Sequence, residues 1–297
     1  MKKDMLKKLD PYEEFVIIKK GTEKPFTGKY NDFYEKGTYV CKRCGLPLYK
    51  SSSKFKSECG WPSFDEEIPG AVKRQMDADG QRTEITCAYC GSHLGHVFEG
   101  EGYTSKNVRH CVNSVSMEFV PDGEKVQRNR AFFAAGCFWG TEYMFKTFKG
   151  VLDTRVGYMG GKKKNPTYEQ VCTGTTGHFE TAEIIYDTSE VDYATLVRFF
   201  FEIHDFSQFD GQGPDIGEQY KSVIFYTDDA QRQVAESVKK ELQKMGRVVA
   251  TEIRRASDFW LAEDYHQDYY EKTHKVPYCH YRRSVFSPEV FKVKNEE

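Results

Sequence analysis

The sequence carries almost no net charge, and neither a long apolar run nor an apolar leader is read in it. Its 297 residues carry 43 Lys plus Arg against 45 Asp plus Glu, a formal net charge of −2. A dedicated nucleic-acid binder would be strongly basic or carry a basic stripe, so no nucleic-acid partner is expected. No run of about 18 apolar residues occurs, so no membrane-spanning helix is expected. The opening segment, MKKDMLKKLDPYEEF, has lysines but no apolar stretch. No secretory signal is therefore read, and the expected location is the cytoplasm. There is no internal repeat and no low-complexity tract. Aromatic residues, in contrast, make up 15% of the chain, too many for a disordered protein. At roughly 100–200 residues per domain the length suggests two domains, each able to bury its own core.

Nine cysteines then stand out, at positions 41, 44, 59, 87, 90, 111, 137, 172 and 279. An odd number in a chain without a secretory signal argues against a disulfide scaffold and for metal or redox chemistry.

The pattern changes near residue 121. Before it come short β-type runs broken by Gly, Pro and Ser, among them GTYVC, SSSKF, GWPSF, RTEITC and HVFEG. Val112 to Val120 alternates and reads as one half-buried strand. This part is expected to be a small mainly-β domain, residues 1–120. The polar stretch PDGEKVQRN (121–129) reads as the linker. From 130 to 297 helix and strand patterns alternate. Strands are expected at Arg130–Ala135, Val151–Tyr158, Glu180–Tyr186, Ser222–Thr227 and Val248–Ile253. Helices are expected at Phe138–Phe148, Tyr193–His204, Asp228–Lys244 and Phe259–Tyr270. The first six elements run βαββαβ, the order of an α+β ferredoxin-like plait.

Cys41-Lys-Arg-Cys44-Gly and Cys87-Ala-Tyr-Cys90-Gly are two Cys-x-x-Cys knuckles. Each places two thiolates on one tight turn, and two such turns can complete a tetrahedral shell for structural Zn²⁺. His93 and His96 follow Cys90 and offer two more donors, but a mixed shell would strand two thiols, so closure by the four cysteines is favoured. A thioredoxin-like redox pair would need a βαβ setting that is missing here.

Two thiols remain in the first domain. Cys59 sits in the Gly/Pro-rich loop Glu-Cys-Gly-Trp-Pro-Ser-Phe, and Cys111 sits in Arg109-His-Cys-Val-Asn-Ser, at the start of the expected strand. Arg109 and His110 are cationic neighbours of the kind that lower a thiol pKa. The blander reading is a pair of buried inert thiols. GWPSF, HLGHVF and RHCVNS, together with the two knuckles, resemble the methionine sulfoxide reductase B family and span nearly all of residues 10–120. The resemblance implies Cys111 as nucleophile and Cys59 as the resolving thiol. It also implies Trp61 packing on the substrate methyl group, and His93, His96, Arg109 and Asn113 shaping the pocket and handling protons. His110 stands where that family often carries an aromatic.

Gly136-Cys-Phe-Trp-Gly140 lies between an expected strand and an expected helix. Cys137 should therefore sit at a helix N-terminus, where unsatisfied N–H groups stabilise thiolate. Phe138 and Trp139 place aromatic surface beside the sulfur. Tyr168 in NPTY, Glu180 in TGHFE, and Asp215 and Tyr220 in a Gly-rich loop are acid/base candidates. Taken singly, each is more often a capping or solvated residue. GCFWG, NPTY, TGHFE and GQY, in that order, resemble the methionine sulfoxide reductase A family across 130–282. The resemblance implies Cys137 as nucleophile, Phe138 and Trp139 as methyl cage, and Glu180 as proton donor. Tyr168, Asp215 and Tyr220 would hydrogen-bond around it. Phe179 departs from the family's small residue, and Pro214 and Ile216 alter the Asp loop. Cys279, near a terminus and behind a proline, reads as a mobile thiol. The resemblance makes it the resolving cysteine, although the tail lacks the family's glycines. Cys172 is assigned to packing.

The implied function is reduction of both epimers of methionine sulfoxide, free or in proteins, R in the first domain and S in the second. Each passes through a sulfenic acid and an intramolecular disulfide, with no organic cofactor, in a monomer recycled by thioredoxin or a similar dithiol. The alternative is a zinc-ribbon binding module fused to a cysteine hydrolase using Cys137 with His178 or His204.

Overall fold

In the computed structural model, residues 5–291 are described. The chain divides into two compact units, Met1–Arg128 and Asn129–Glu297. Among the described residues no helix is long and apolar enough to cross a membrane.

The first unit opens with helix α1, Pro11–Ile17, fixed by a capping box between Asp10 and Glu13. Nine strands follow. They are β1 Gly37–Cys41, β2 Pro47–Lys50, β3 Lys54–Phe55, β4 Ser63–Phe64, β5 Val72–Met76, β6 Thr83–Cys87, β7 His93–Glu99, β8 Val108–Val112 and β9 Met117–Pro121. They form a small sheet in the order β2-β1-β9 and a larger one in the order β3-β4-β8-β7-β6-β5. Tyr49 stacks on Phe64 at 4.4 Å between ring centroids, and Tyr39 meets Phe64 edge-on at 5.0 Å, at the heart of a buried aromatic core.

The single strand expected over Val112–Val120 is two. β8 ends at Val112, a 3-10 turn occupies Ser114–Ser116, and β9 starts at Met117. The alternation is interrupted because Asn113 and Ser114 are held elsewhere. The Asn113 amide donates to the Leu94 carbonyl, and the Ser114 N–H donates to the Glu23 carboxylate. The break lets β8 and β9 enter different sheets. Cys111 consequently lies near the end of a strand rather than at its start.

The second unit contains, in chain order, β10 Arg128–Ala135, α2 Phe138–Lys146, β11 Val151–Met159, α3 Tyr168–Cys172, β12 Phe179–Asp187 and α4 Tyr193–Glu202. The rest are β13 Gly211–Gln212, β14 Asp215–Ile216, β15 Ser222–Tyr226, α5 Asp229–Lys244, β16 Glu252–Arg255, β17 Trp260–Leu261 and α6 Tyr269–Thr273. Its sheet runs β16-β15-β10-β12-β11-β17. The inner four have the order of a ferredoxin-like plait, with β16 added parallel to β15 at one edge. Phe133, Phe145, Phe200, Leu196 and Leu242 bury the helices against one face.

Two expected elements differ. The strand placed at Val248–Ile253 begins at Glu252, and Ala250 instead donates its N–H to the Phe206 carbonyl. The helix expected over Phe259–Tyr270 is an edge strand, turns and one short helix. Trp260 and Leu261 pair with Tyr158 and Gly157. Gln267 then bonds both the N–H and the carbonyl of Val156 through its side-chain amide, acting as a further rung on that edge. A helical periodicity read from sequence cannot foresee a side chain that substitutes for a strand.

Candidate active sites and metal centre

The four knuckle cysteines are buried and their sulfurs lie within 4.8 Å of one another. Each knuckle closes the same way, Gly45 N–H to the Cys41 carbonyl at 2.8 Å and Gly91 N–H to the Cys87 carbonyl at 2.9 Å. Sγ separations of 3.6 Å for Cys41–Cys90 and 3.7 Å for Cys44–Cys87 are too long for disulfides. They match the edge of about 3.8 Å that a tetrahedron of Zn–S bonds produces. Contact among the four sulfurs, and then burial, pushes the Cys41 and Cys44 thiols up, a cost that a divalent soft cation would remove. The cluster is thus compatible with zinc. Among the described residues the cluster consists of the four cysteines, and the two nearby histidines each engage a carboxylate through one ring nitrogen. His93 Nδ1 lies 2.7 Å from Glu84, and His96 Nε2 lies 2.8 Å from Asp77.

The remaining two thiols of this unit meet at 3.8 Å, Cys59 Sγ to Cys111 Sγ. Cys111 is held by the sheet. Its register partners are Ser63 on β4 and His96 on β7, which place those side chains on its own face. Cys59 is held by its loop, with Ser57 Oγ donating at 3.1 Å and Ser63 Oγ at 3.5 Å. The hydrogen bond from Cys111, helped by the two serines, lowers Cys59 to about 4, whereas that same contact and burial raise Cys111. The charge of Arg109 pulls Cys111 back down in part, and Arg109 is itself fixed by Glu101 at 2.7 and 2.8 Å.

His110 does not act on the thiol as its position in the sequence suggested. It is buried, with Nδ1 3.1 Å from the Tyr49 hydroxyl and Nε2 3.0 Å from Glu67. Successive strand residues point to opposite faces, so a neighbour of Cys111 in sequence is turned away from it. Trp61 is anchored by its indole N–H on the Glu23 carbonyl at 2.9 Å. The Asn113 amide is satisfied by backbone on both sides, Leu94 and Glu23. Burial lowers His93 and keeps it neutral against the carboxylate of Glu84.

In the second unit Cys137 caps α2 and is buried. The N–H groups of Trp139 and Gly140 point at its sulfur and lower its pKa, as expected of a helix start. They do not prevail. The hydrogen bond to Cys279, and then burial, raise Cys137, while Cys279 is lowered by the same contact. Gly136 precedes it with φ +89°, and a Cβ there would fall 2.4 Å from the Gln212 side chain. Glu180 is buried, and its carboxylate accepts the Phe138 N–H at 3.0 Å. Burial first, then the charges of Cys137 and Asp215, hold its pKa well above the carboxylate range. Asp215 is raised by burial, and its Oδ2 has no hydrogen-bond partner among the described residues. Burial first, and then the charge of Glu180, raises both Tyr168 and Tyr220. Phe138 is buried in the core against Tyr158. Trp139 lies flat on Tyr269 at 3.7 Å, and its indole N–H donates to His266 at 3.0 Å.

Two cysteines are placed otherwise than expected. Cys279, read from sequence as a thiol in a free tail, is buried. Cys172 is exposed rather than packed, and it hydrogen-bonds the Tyr168 hydroxyl. The hydrolase alternative finds no general base in either of its candidate histidines. His178 accepts the Gly161 N–H and bonds the Lys163 carbonyl, and His204 bonds the Phe200 carbonyl and Ser222. Sequence reasoning missed Glu84, Asp77, Ser57 and Ser63 in the first unit, and His266, Tyr269 and His280 in the second. Only His280 left a signal, as a histidine next to a cysteine.

A metal-type cluster of four cysteines and two close thiol pairs on two unrelated scaffolds define a thiol-dependent oxidoreductase with two active centres. Residues 129–297 match the family described as "Peptide methionine sulfoxide reductase", and residues 9–121 match the SelR domain. The chain belongs to the peptide methionine sulfoxide reductases, an A-type domain preceded by a B-type one. It is 52% identical over 176 residues to peptide methionine sulfoxide reductase MsrA of Methanosarcina mazei, covering 58% of this chain and 82% of that one. It is 61% identical over 111 residues to peptide methionine sulfoxide reductase B5 of Oryza sativa subsp. japonica, covering 37% and 82%. Reduced Mxr1 from Saccharomyces cerevisiae superposes with a TM-score of 0.50 at 33% identity, covering 54% of this chain and 94% of Mxr1.

Proposed function

We propose that this chain reduces the R epimer of methionine sulfoxide at Cys111 and the S epimer at Cys137, each with its own resolving thiol and acid. Residues 1–120 and 130–297 act as the two domains; of the stretch 121–129 read as their linker, Pro121 ends β9 and Arg128 opens β10, which leaves 122–127 to join them. The observation that carries the reading is that each candidate nucleophile has a second thiol beside it, Cys59 at 3.8 Å from Cys111 and Cys279 close enough to Cys137 to shift its titration. An acyl-transfer enzyme has no use for that second thiol.

A sulfoxide sulfur is a poor electrophile until its oxygen is protonated. Glu180, raised by burial, holds a proton at neutral pH and gives it to the sulfoxide oxygen while Cys137 attacks sulfur. Phe138 and Trp139 receive the methyl group, and Tyr168, Asp215 and Tyr220 bond around the oxygen. Methionine leaves, and Cys137 keeps the oxygen as a sulfenic acid. Cys279 then forms the disulfide and water is released.

In the first domain Cys111 attacks, His93 and His96 handle the proton, Arg109 and Asn113 order the pocket, and Trp61 packs on the methyl group. Cys59 resolves. Cys41, Cys44, Cys87 and Cys90 would hold Zn²⁺, which would cross-link the fold and leave the sulfoxide chemistry to the thiols. A dithiol reductant of the thioredoxin type attacks each disulfide and resets the thiols. The reaction consumes two thiols per sulfoxide and yields methionine, disulfide and water. The chain works as a monomer in the cytoplasm, on free or protein-bound methionine sulfoxide. The test is disulfide mapping after incubation with racemic methionine sulfoxide and no reductant. Cys59–Cys111 and Cys137–Cys279 are expected; pairings that cross these sets contradict the reading.

A further inference from the structure

The neighbour of Cys279 is more than a packing residue. His280 is buried, and its two ring nitrogens face different partners. Nε2 lies 2.7 Å from the Ala135 carbonyl, and the Thr141 hydroxyl lies 3.3 Å from the same nitrogen. A carbonyl can only accept, so Nε2 carries the hydrogen, and the neutral ring presents a bare lone pair at Nδ1. That lone pair lies 3.0 Å from the Cys279 sulfur. The ring is admitted by a glycine: a Cβ at Gly140, on the first turn of α2, would fall 2.1 Å from Nδ1. The glycine that closes GCFWG therefore makes room for the imidazole.

We propose that His280 is a catalytic residue of the disulfide-forming step, taking the Cys279 thiol proton on Nδ1 as that sulfur attacks oxidised Cys137. The proposal rests on the reading of Cys279 as the resolving thiol. In the reduced protein the Cys137 thiol holds Cys279 down by hydrogen bonding. Once the Cys137 sulfur carries oxygen, that S–H donor is gone, the Cys279 thiolate loses its support, and the Cys279 thiol needs a base to take its proton. The Cys279 S–H bond and the Cys137 S–O bond break, and one S–S bond forms. The Cys279 sulfur supplies the electron pair, the sulfenic sulfur accepts it, and hydroxide departs. His280 returns its proton to that hydroxide, so water leaves and the ring ends neutral. Burial pushes His280 down to about 4, which keeps Nδ1 unprotonated and ready; the charge of Asp215 acts in the opposite direction. The titratable groups coupled to the ring are Cys279, Asp215 and His204. Among the described residues the first domain has no counterpart to this imidazole at its own resolving thiol, where Ser57 and Ser63 stand instead.

The experiment is a single turnover of the full chain with excess enzyme over free methionine S-sulfoxide, comparing wild type with His280→Asn and His280→Gln. Methionine release and loss of the two thiols are followed separately, and the sulfenic acid is trapped with dimedone. In the variants methionine should appear in a full burst while disulfide formation slows about 100-fold or more at neutral pH, as expected for loss of a general base. Dimedone should label Cys137. The slowed step should recover as pH rises, because hydroxide then ionises Cys279 without help. A purely structural role would slow the step equally at every pH, and that result would overturn the proposal. Wild-type disulfide rates in both variants, or a burst lost in both, would also overturn it. Absence of a Cys137–Cys279 disulfide in wild type would instead bring down the reading of Cys279 itself, and the proposal with it.

Discussion

Cys111 sits in the middle of a sheet, between Ser63 and His96 on adjacent strands, and its partner Cys59 comes from a loop bearing hydroxyls. Cys137 sits at the start of a helix, beside a buried carboxyl, and its partner comes from the C-terminal segment with an imidazole attached. In both pairs the contact raises the nucleophile and lowers the resolver. The difference lies in the titratable groups beside the thiols. One site sets two histidines against carboxylates, His93 on Glu84 and His96 on Asp77, and the other holds a buried carboxyl, Glu180, whose pKa burial raises. The shared requirement is two thiols and an acid; the scaffold that supplies them is free to vary.

The comparison breaks most completely at the metal. Chelation, or Cys41→Ser, should unfold the first unit, because binding energy of about 10 kcal/mol or more is folding energy in such sites. R reduction should vanish while S reduction persists, read by an epimer-resolved assay alongside thermal melting. Next comes the acid. Glu180→Gln should cost about 10²–10⁴-fold in kcat for the S epimer and leave the R epimer alone. In wild type the donor form of Glu180 exists below its raised pKa, so S activity should fall as pH rises through it. The variant should lose that limb from its pH–rate profile.

A smaller effect sits on α2. Glu142 is buried, accepts the Asp268 N–H at 2.8 Å and is raised from 4.5 to about 7, by burial first and the charge of Asp268 second. A raised folded pKa contributes stability that is complete below about 4.5 and lost as pH rises through about 7. Chemical denaturation should show the second unit losing about 3 kcal/mol over that window, and Glu142→Gln should flatten the slope. The smallest change is Tyr269→Ala, which removes the ring stacked on Trp139. It should cost about 0.5–1.5 kcal/mol, seen as a modest rise in KM for the S epimer.

Much of this was legible because the chemistry sits in short local motifs. The two knuckles, GCFWG and the order of the plait strands all follow from spacing, and the metal-type cluster needs only the two Cys-x-x-Cys turns. What escaped depends on residues far apart in the chain. Glu84 reaches His93 across strands, and His266 reaches Trp139 over 127 positions. His110 misled because adjacency in a strand means opposite faces. Cys279 looked mobile because proline and a nearby terminus suggest a free tail, yet the His280 bond to the Ala135 carbonyl and the Arg283 N–H on the Glu202 carbonyl at 2.7 Å hold that segment down. The helix expected at Phe259–Tyr270 failed because Gln267 completes a sheet edge with its side chain, which periodicity does not record.

The central claim is two sites of opposite stereochemical preference in one chain, and an epimer-resolved assay with dithiothreitol tests it most directly. Cys137→Ser should abolish reduction of the S sulfoxide and leave the R rate intact, and Cys111→Ser should do the reverse. Loss of both epimers in either variant would contradict the account.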